Sequence, residues 1–385
     1  MASIQKYKNK KGKQLYKFKI YLGTDPITNK QITTTRRGFT SIKSAKSAAR
    51  KLQTEFEEQG WGSDNTSDIR TFQQLFEVWF ENYQLSVKKS TATDSWQIYE
   101  RYIKPKFGSS NIQRINVLFC QKCVNYWYKN YREARHIKNT VSQILRYGIS
   151  LEIIDENPMA KVTLPRPLPK RDNSNNFYSK NELKHFFDSL NDIGDLRYIA
   201  FFRFLAYTGV RKSEALALQW KDFNFKNNTV KISKTIYYDA RLKQVIVQEP
   251  KTKSSNRVLD LDPKTVSIMQ SWRADQQKRF IKIGINVMNA KQYVFTQEKS
   301  NRLLVPNSVN DWLKWIYKKY PQKKITVHGF RHTHASLLFE AGATIKEVQE
   351  RLGHSNSKTT LDIYTHVVKE KKKETALKFA NFADN

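Results

Sequence analysis

Cysteine occurs only twice in the 385 residues, at Cys120 and Cys123. A single CxxC with no second pair and no neighbouring histidine leaves a tetrahedral zinc site or a disulfide framework without its ligands. Both cysteines fall in NVLFCQKCVNYWYKNY, an amphipathic segment, and read as small buried side chains in a reducing compartment. Long apolar runs are also missing. No stretch of about 18 apolar residues occurs and no signal-peptide pattern follows Met1, so a cytoplasmic protein with no membrane partner is expected. Acids are scarce too: 35 Asp and Glu stand against 68 Lys and Arg, a formal charge of +33. Self-repulsion on that scale opposes a compact chain unless an anionic partner neutralises it, and the expected partner is nucleic acid.

The rest of the composition supports packed domains. Hydrophobic residues make up 39% and aromatics 13%, and the length suits two or three domains. Residues 1–60 alternate in strand fashion around Leu15–Tyr21, turn between Asp25-Pro26 and Asn29, resume over Gln31–Arg37 and end in a helix from Ser41. That pattern is a three-stranded sheet plus one helix. Fourteen Lys and Arg stand against four acids in this piece, about +10 of formal charge. Lys17 and Lys19 share one sheet face and, with Arg36 and Arg37, are candidates for DNA-backbone contact. The alternative is a solvated basic edge that deters aggregation. A polar break, GWGSDNTSD at 60–68, precedes an apolar helical pattern over 70–162 that reads as a bundle of four or five helices. Pro165, Pro167 and Pro169 then open an extended basic linker. From Phe177 the pattern mixes helix and sheet, with strands over Thr229–Ile236, Gln244–Gln248 and Arg257–Leu261 expected to form one three-stranded sheet. The fold class is multidomain α+β: a sheet-and-helix unit over 1–62, a helical bundle over 70–163, a linker over 164–176, and a mixed α/β domain with a tail over 177–385.

The chemistry concentrates near the C-terminus. Five of the seven histidines (His328, His332, His334, His354 and His366) crowd into the 41 residues from Thr326 to His366. On a helix, His328 and Arg331 share one face. Arg211 and Lys212 open a helix in TGVRKSEAL, a placement that opposes the macrodipole by about 0.3–1 kcal/mol. The same position suits a phosphate, which would meet free backbone N–H groups and a guanidinium fork. The alternative for Arg211 is a surface salt bridge to Glu214. With Arg331 added, two planar forks can clasp one phosphodiester and stabilise a pentavalent transition state. Lys251 and Lys253 lie in the turn PKTKSSNR, from which an ammonium can protonate a leaving 5′-oxygen. His354 directly follows a helix that opens with the capping box Thr344–Glu347 and closes at Gly353. Tyr364 stands in TTLDIYTHV, a short helix signalled by Thr359 and Asp362. His328 and His332 have a zinc-like i, i+4 spacing, but Arg331 would repel a dication and no carboxylate completes an HExxH pattern. No metal is expected.

In the order Arg211, turn lysine, His328-x-x-Arg331, His354, Tyr364, this set resembles the tyrosine recombinase family, specifically the phage-type integrases. TGVRKSEALAL, HGFRHTHASLL and LGHSNSKTTLDIYTHV each look like a family box. The unit at 1–60 looks like an arm-site-binding domain and 70–162 like a helical core-binding domain. The resemblance implies a transesterification without metal or cofactor, in which Tyr364 forms a 3′-phosphotyrosyl bond and frees a 5′-hydroxyl. Arg211, Arg331 and His354 would hold the phosphate, Lys251 (or Lys253) would protonate the leaving oxygen, and His328 would assist proton transfer. Lys212 would add a DNA contact. Implied partners are double-stranded core and arm attachment sites, a homotetramer on DNA, an excisionase and a DNA-bending protein. The implied setting is the nucleoid of a bacterial host, where the enzyme integrates and excises a prophage or conjugative transposon. The tail cluster Ala376, Leu377, Phe379, Ala380 and Phe382 would dock on the adjacent protomer, or else on its own domain. A non-catalytic integrase-like DNA-binding regulator would explain the charge but not a complete catalytic set. A type IB topoisomerase shares the chemistry but not the basic first domain or the short length.

Overall fold

The computed structural model describes residues 3–8, 13–24, 31–59, 69–166, 175–250, 256–353, 360–361 and 363–365. The chain divides into two units, residues 1–88 with 94–168, and residues 89–93 with 169–385.

In the first unit, β1 (Ser3–Lys8), β2 (Gln14–Thr24) and β3 (Gln31–Phe39) form an antiparallel sheet in that order. The following helix, α1 (Ile42–Gln59), starts behind Ser41, whose Oγ accepts from the Ser44 N–H at 3.1 Å. Ala45 and Ala49 of α1 pack on Phe18 and Ile20, the buried residues of β2. Strand alternation therefore turns Lys17, Lys19 and Tyr21 to the opposite face. Register places Gln5, Lys17 and Arg37 in one cross-strand row and Ser3, Lys19 and Thr35 in the next. Arg36 lies opposite Phe18, on the α1 side of the sheet. Arg36 and Arg37 are both exposed but face opposite ways. The turn anticipated at Asp25–Asn29 and the polar break at 60–68 lie outside the described residues.

The helical part runs α2 (Phe72–Ser86), α3 (Lys89–Ile98), a π-turn over Tyr99–Ile103, α4 (Lys104–Phe107), α5 (Val117–Asn130) and α6 (Ala134–Ser150). A Thr71–Gln74 capping box opens α2, and its apolar stripe Leu75, Phe76, Trp79 and Phe80 is buried as the periodicity requires. Cys120 and Cys123 are buried free thiols on α5; burial pushes Cys120 up to about 12, so it is inert at neutral pH.

In the second unit, α7 (Lys180–Ile193), α8 (Leu196–Thr208) and the single turn α9 (Lys212–Ala215) precede β4 (Phe223–Asn224), β5 (Thr229–Ile232), β6 (Thr235–Asp239), β7 (Gln244–Gln248) and β8 (Arg257–Asp260). They are followed by α10 (Pro263–Ile281), α11 (Ser308–Lys319), α12 (Gly329–Glu340) and α13 (Ile345–Leu352). The single sheet expected from the three strand patterns is two sheets. The run Thr229–Ile236 breaks at Ser233-Lys234, where Lys234 Nζ donates to Gln219 Oε1 at 3.0 Å and pairs with the buried Asp222 at 2.8 Å. β5 joins β4 and β8, whereas β6 pairs with β7 as a separate hairpin. Helix α8 is the centre of the unit: Ala200, Phe201, Phe202, Phe204 and Leu205 are all buried, packing with Phe186 of α7, Met269 of α10 and Phe330 of α12 in one core.

α8 ends where the sequence pattern places its end, at Gly209 with φ +65°. That glycine is doubly constrained. A Cβ there would lie 2.5 Å from Leu352 Cδ2 and 2.7 Å from His334 Cδ2. Gly194, which caps α7 at φ +71°, has its nearest neighbouring heavy atom at 3.9 Å. Gly209→Ala is therefore expected to cost roughly 2–4 kcal/mol, the left-handed penalty plus overpacking. Gly194→Ala should cost only about 1 kcal/mol. Urea unfolding followed by tryptophan fluorescence measures both, and equal losses would rule out the crowding contribution.

Candidate active site

α13 is capped at its start by the Thr344–Glu347 box and ended by Gly353 at φ +68°. The last carbonyls of a helix have no intrahelical donors and carry its negative pole. Here three consecutive ones are taken by three arginines from distant segments. Arg257 Nε donates to the Arg351 carbonyl at 2.9 Å, Arg331 Nη2 to Leu352 at 2.8 Å, and Arg211 Nη2 to Gly353 at 3.4 Å. Arg331 is further held by Nη1 on the Gly209 carbonyl at 2.8 Å and is almost fully buried, 3% exposed.

Among the described residues one carboxylate bonds to this cluster. Glu214, 2% exposed, accepts from Arg211 Nη1 at 2.7 Å and from Arg257 Nη2 at 3.2 Å. Burial alone would raise its pKa, but Arg257, Arg211 and the hydrogen bonds from Arg211 bring it below the ordinary carboxylate value. At the helix start beside Arg211, α9 is a single turn, and Glu214 Oε2 takes one of the N–H groups, that of Arg211, at 3.0 Å. The salt bridge considered for Arg211 exists, but on a buried rather than a surface carboxylate. Burial and the Arg211 cation lower the Arg331 guanidinium to about 9, with Glu214 opposing the shift; it stays charged at neutral pH.

His328 is the N-cap of α12, one residue before the helix, with Arg331 in the first turn. Burial, then His332, Arg331, Arg211 and Lys212, push its imidazole down to about 4, so it is neutral at physiological pH. Burial also lowers Lys212 below the usual lysine value. The His332 ring lies edge-on to His328, centroids 5.0 Å apart, and is likewise lowered by burial and Arg331. His334 serves a different purpose. Its Nε2 accepts from Arg351 Nε at 3.1 Å, so Nδ1 carries the proton and donates to the Ala206 carbonyl at 2.9 Å. Arg351 also reaches the Tyr207 and Asp260 carbonyls, both at 3.2 Å, tying α13 to α8 and β8.

Tyr364 makes no hydrogen bond to these arginines among the described residues. Its ring packs on Phe339, centroids 5.2 Å apart, and its hydroxyl has no hydrogen-bond partner among the described residues. Phe339 lies in the last turn of α12 and His328 just before the first, so their Cα atoms are roughly 16 Å apart along the axis. Lys251, Lys253, His354, Thr359, Asp362, His366 and the tail cluster lie outside the described residues. Sequence reading did not identify Arg257 or Arg351 as parts of the site, and it treated Glu214 only as a surface partner. The R-x-x-E spacing of Arg211 and Glu214, a capping-box spacing, was the available signal for the last.

A second candidate surface is the open face of the N-terminal sheet. A shallow concavity of about 360 Å³ is lined there by Lys17, Lys19, Tyr21, Thr33, Thr35 and Arg37, among others.

Comparison with known proteins follows the same division. Residues 176–371 match the phage integrase family, 71–128 the SAM-like N-terminal domain of phage integrases, and 3–56 an arm DNA-binding domain. The chain is 28% identical over 365 residues to the ICEBs1 integrase of Bacillus subtilis (strain 168), covering 94% of this chain and 95% of that protein. Its fold resembles the Tn1549 transposon integrase in complex with a circular intermediate DNA, with 21% identity and TM-score 0.60 over 77% of this chain and 95% of that one. It also resembles a lambda integrase tetramer bound to a Holliday junction, with 14% identity and TM-score 0.54 over 93% and 94% of the two chains. With half its length in the catalytic family match and guanidiniums gathered from three distant segments, the chain belongs to the phage integrase family of tyrosine recombinases.

Proposed function

We propose that this protein is a site-specific recombinase that cuts and rejoins DNA at the attachment sites of a mobile element, a prophage or a conjugative transposon. The observation that carries the reading is the surplus of positive charge in the site. Among the described residues, Arg211, Arg257 and Arg331 gather at one helix end around the one carboxylate of Glu214. Buried charge without a counter-ion is costly, and a phosphodiester supplies what is missing. Each guanidinium has five N–H donors, so Arg211 and Arg331 keep free donors for the non-bridging oxygens after their carbonyl bonds are made.

In this reading Tyr364 Oη loses its proton and attacks the scissile phosphorus. A 3′-phosphotyrosyl bond forms, the P–O5′ bond breaks, and the leaving oxygen takes a proton from Lys251 or, alternatively, Lys253. His354 joins Arg211 and Arg331 in holding the phosphate. His328, held neutral by burial and neighbouring cations, is in the right state to accept a proton rather than to repel the arginines. The freed 5′-hydroxyl of a partner strand then reverses the chemistry, and a homotetramer on paired sites makes two such exchanges.

The division of labour proposed is an arm-site domain at 1–62, a core-binding bundle at 70–163, a linker at 164–176 and a catalytic domain at 177–385. The tail docks on the neighbouring protomer, and an excisionase and a DNA-bending protein set the direction of the reaction on the bacterial nucleoid. No helix of the described residues is long and apolar enough to cross a membrane. For the arm domain the supporting observation is that Lys17, Lys19 and Arg37 share the open face of the sheet, whereas Arg36 is on the other side.

A nicked suicide duplex carrying the core site should trap the protein covalently through Tyr364, because loss of the short 5′ fragment leaves no hydroxyl to reverse the step. Tyr364→Phe should bind and never trap. Adducts formed by the Phe variant, or mapped to another residue, would rule out this nucleophile, and absence of any wild-type adduct would favour the non-catalytic regulator. For the leaving group, Lys251→Ala should slow cleavage of ordinary DNA far more than cleavage of a 5′-bridging phosphorothiolate, whose sulfur leaves without a proton. If Lys253→Ala alone shows that rescue, the assignment moves to Lys253. On arm-site DNA, replacing Lys17 and Lys19 by Ala should flatten the slope of log K against log salt by about 0.9 for each phosphate no longer neutralised; an unchanged slope would remove the sheet face from the interface.

A further inference from the structure

The geometry points to Arg257 as a positioning residue for strand cleavage, one that sets both phosphate-facing arginines without touching DNA itself; the inference rests on the recombinase reading above. Arg257 is the first residue of β8, paired in register with Ile232 of β5, so its backbone is fixed by a sheet rather than a loop. Its side chain is 8% exposed. From there one guanidinium spans two acceptors. Nη2 donates to Glu214 Oε2 at 3.2 Å, and Nε to the Arg351 carbonyl at 2.9 Å.

Those two acceptors are the supports of the other two arginines. Glu214 orients Arg211, taking its Nη1 at 2.7 Å and its backbone N–H at 3.0 Å. The carbonyl next to that of Arg351 holds Arg331 Nη2 at 2.8 Å, and the following one holds Arg211 Nη2 at 3.4 Å. Fixing Glu214 and the end of α13 together therefore fixes the separation and tilt of the two forks that face the phosphate.

A lysine cannot replace this function in full. An ammonium at that position can reach one acceptor or the other, whereas the planar fork bridges both. The bland alternative is that Arg257 merely satisfies buried groups and holds β8 to α13. The two accounts differ in what they say about the charge on the substrate. If Arg257 acts through Arg211 and Arg331, its loss matters in proportion to the negative charge those arginines must stabilise; a purely structural role is indifferent to that charge.

The test uses the full-length protein and a suicide duplex in two forms, with an ordinary scissile phosphate or with a neutral methylphosphonate at that position. Arg257→Met should slow single-turnover adduct formation on the ordinary phosphate by on the order of 100-fold, and Arg257→Lys by on the order of tenfold, as expected for sub-ångström to ångström misplacement of binding groups. Duplex affinity should stay near wild type in both. On the methylphosphonate the deficit relative to wild type should shrink several-fold for each variant. Arg257→Lys keeps the charge and can keep one of the two contacts, so it preserves the test if the Met variant unfolds. Equal deficits on the two substrates, or rate losses that match the unfolded fraction read from thermal melts, would overturn the positioning role. A variant that traps at the wild-type rate would do so too. Failure of the wild-type protein to trap at all would instead count against the recombinase reading.

Discussion

The end of α13 is where the catalytic unit is tied together. Three backbone carbonyls in a row present the negative pole of one short helix, and arginines from β8, α12 and the α8–α9 junction converge on it. Without those acceptors the guanidiniums would repel one another across a few ångströms of low-dielectric interior. With them, the cations are held close together. Helix termini usually receive their partners from local caps; here the partners come from other parts of the fold, so assembling the helix end and assembling the site are one event.

The surrounding groups follow from that concentration of charge. His328 and His334 both have depressed pKa values, to about 4 and about 3, because burial and adjacent cations penalise a further positive charge. Neutral imidazoles are useful in such a place, since they can accept a proton or a hydrogen bond without adding repulsion. His334 illustrates the second use: by accepting from Arg351 and donating to Ala206 it joins α13 to α8 through α12. Gly209 lets those three helices meet, because any side chain there would collide with His334 and Leu352. Its carbonyl also receives Arg331.

The N-terminal sheet solves an opposite problem. Its core is small, Phe18 and Ile20 against Ala45 and Ala49, and among the described residues its other face forms a concavity. That face carries Lys17, Lys19 and Arg37 beside Tyr21 and two threonines, a polar concave surface rather than an apolar patch in need of a protein partner. Strand alternation alone separates the two functions of β2, one set of residues packing and the other exposed.

Much of this was legible in the linear sequence because it depends on short-range rules. The end of α8 at Gly209, the capping box at Thr344–Glu347, the burial of both cysteines and the shared face of Lys17 and Lys19 all follow from periodicity and local hydrogen bonding. Arg211, Glu214 and Arg331 were also legible as individual charged residues. Their relationships were not. The strand run Thr229–Ile236 splits because Lys234 meets Asp222 and Gln219 across the fold, a contact that no strand propensity encodes. Glu214 is a buried hinge between two arginines rather than a surface partner because β8 brings Arg257 to it from 43 positions away. Arg257 and Arg351 look like ordinary basic residues in sequence, and Arg36 looks equivalent to Arg37. Local patterns determine which elements form and which way each side chain leaves the backbone; only tertiary packing, by choosing which distant elements share a dielectric environment, decides which charges must compensate one another and so become a site.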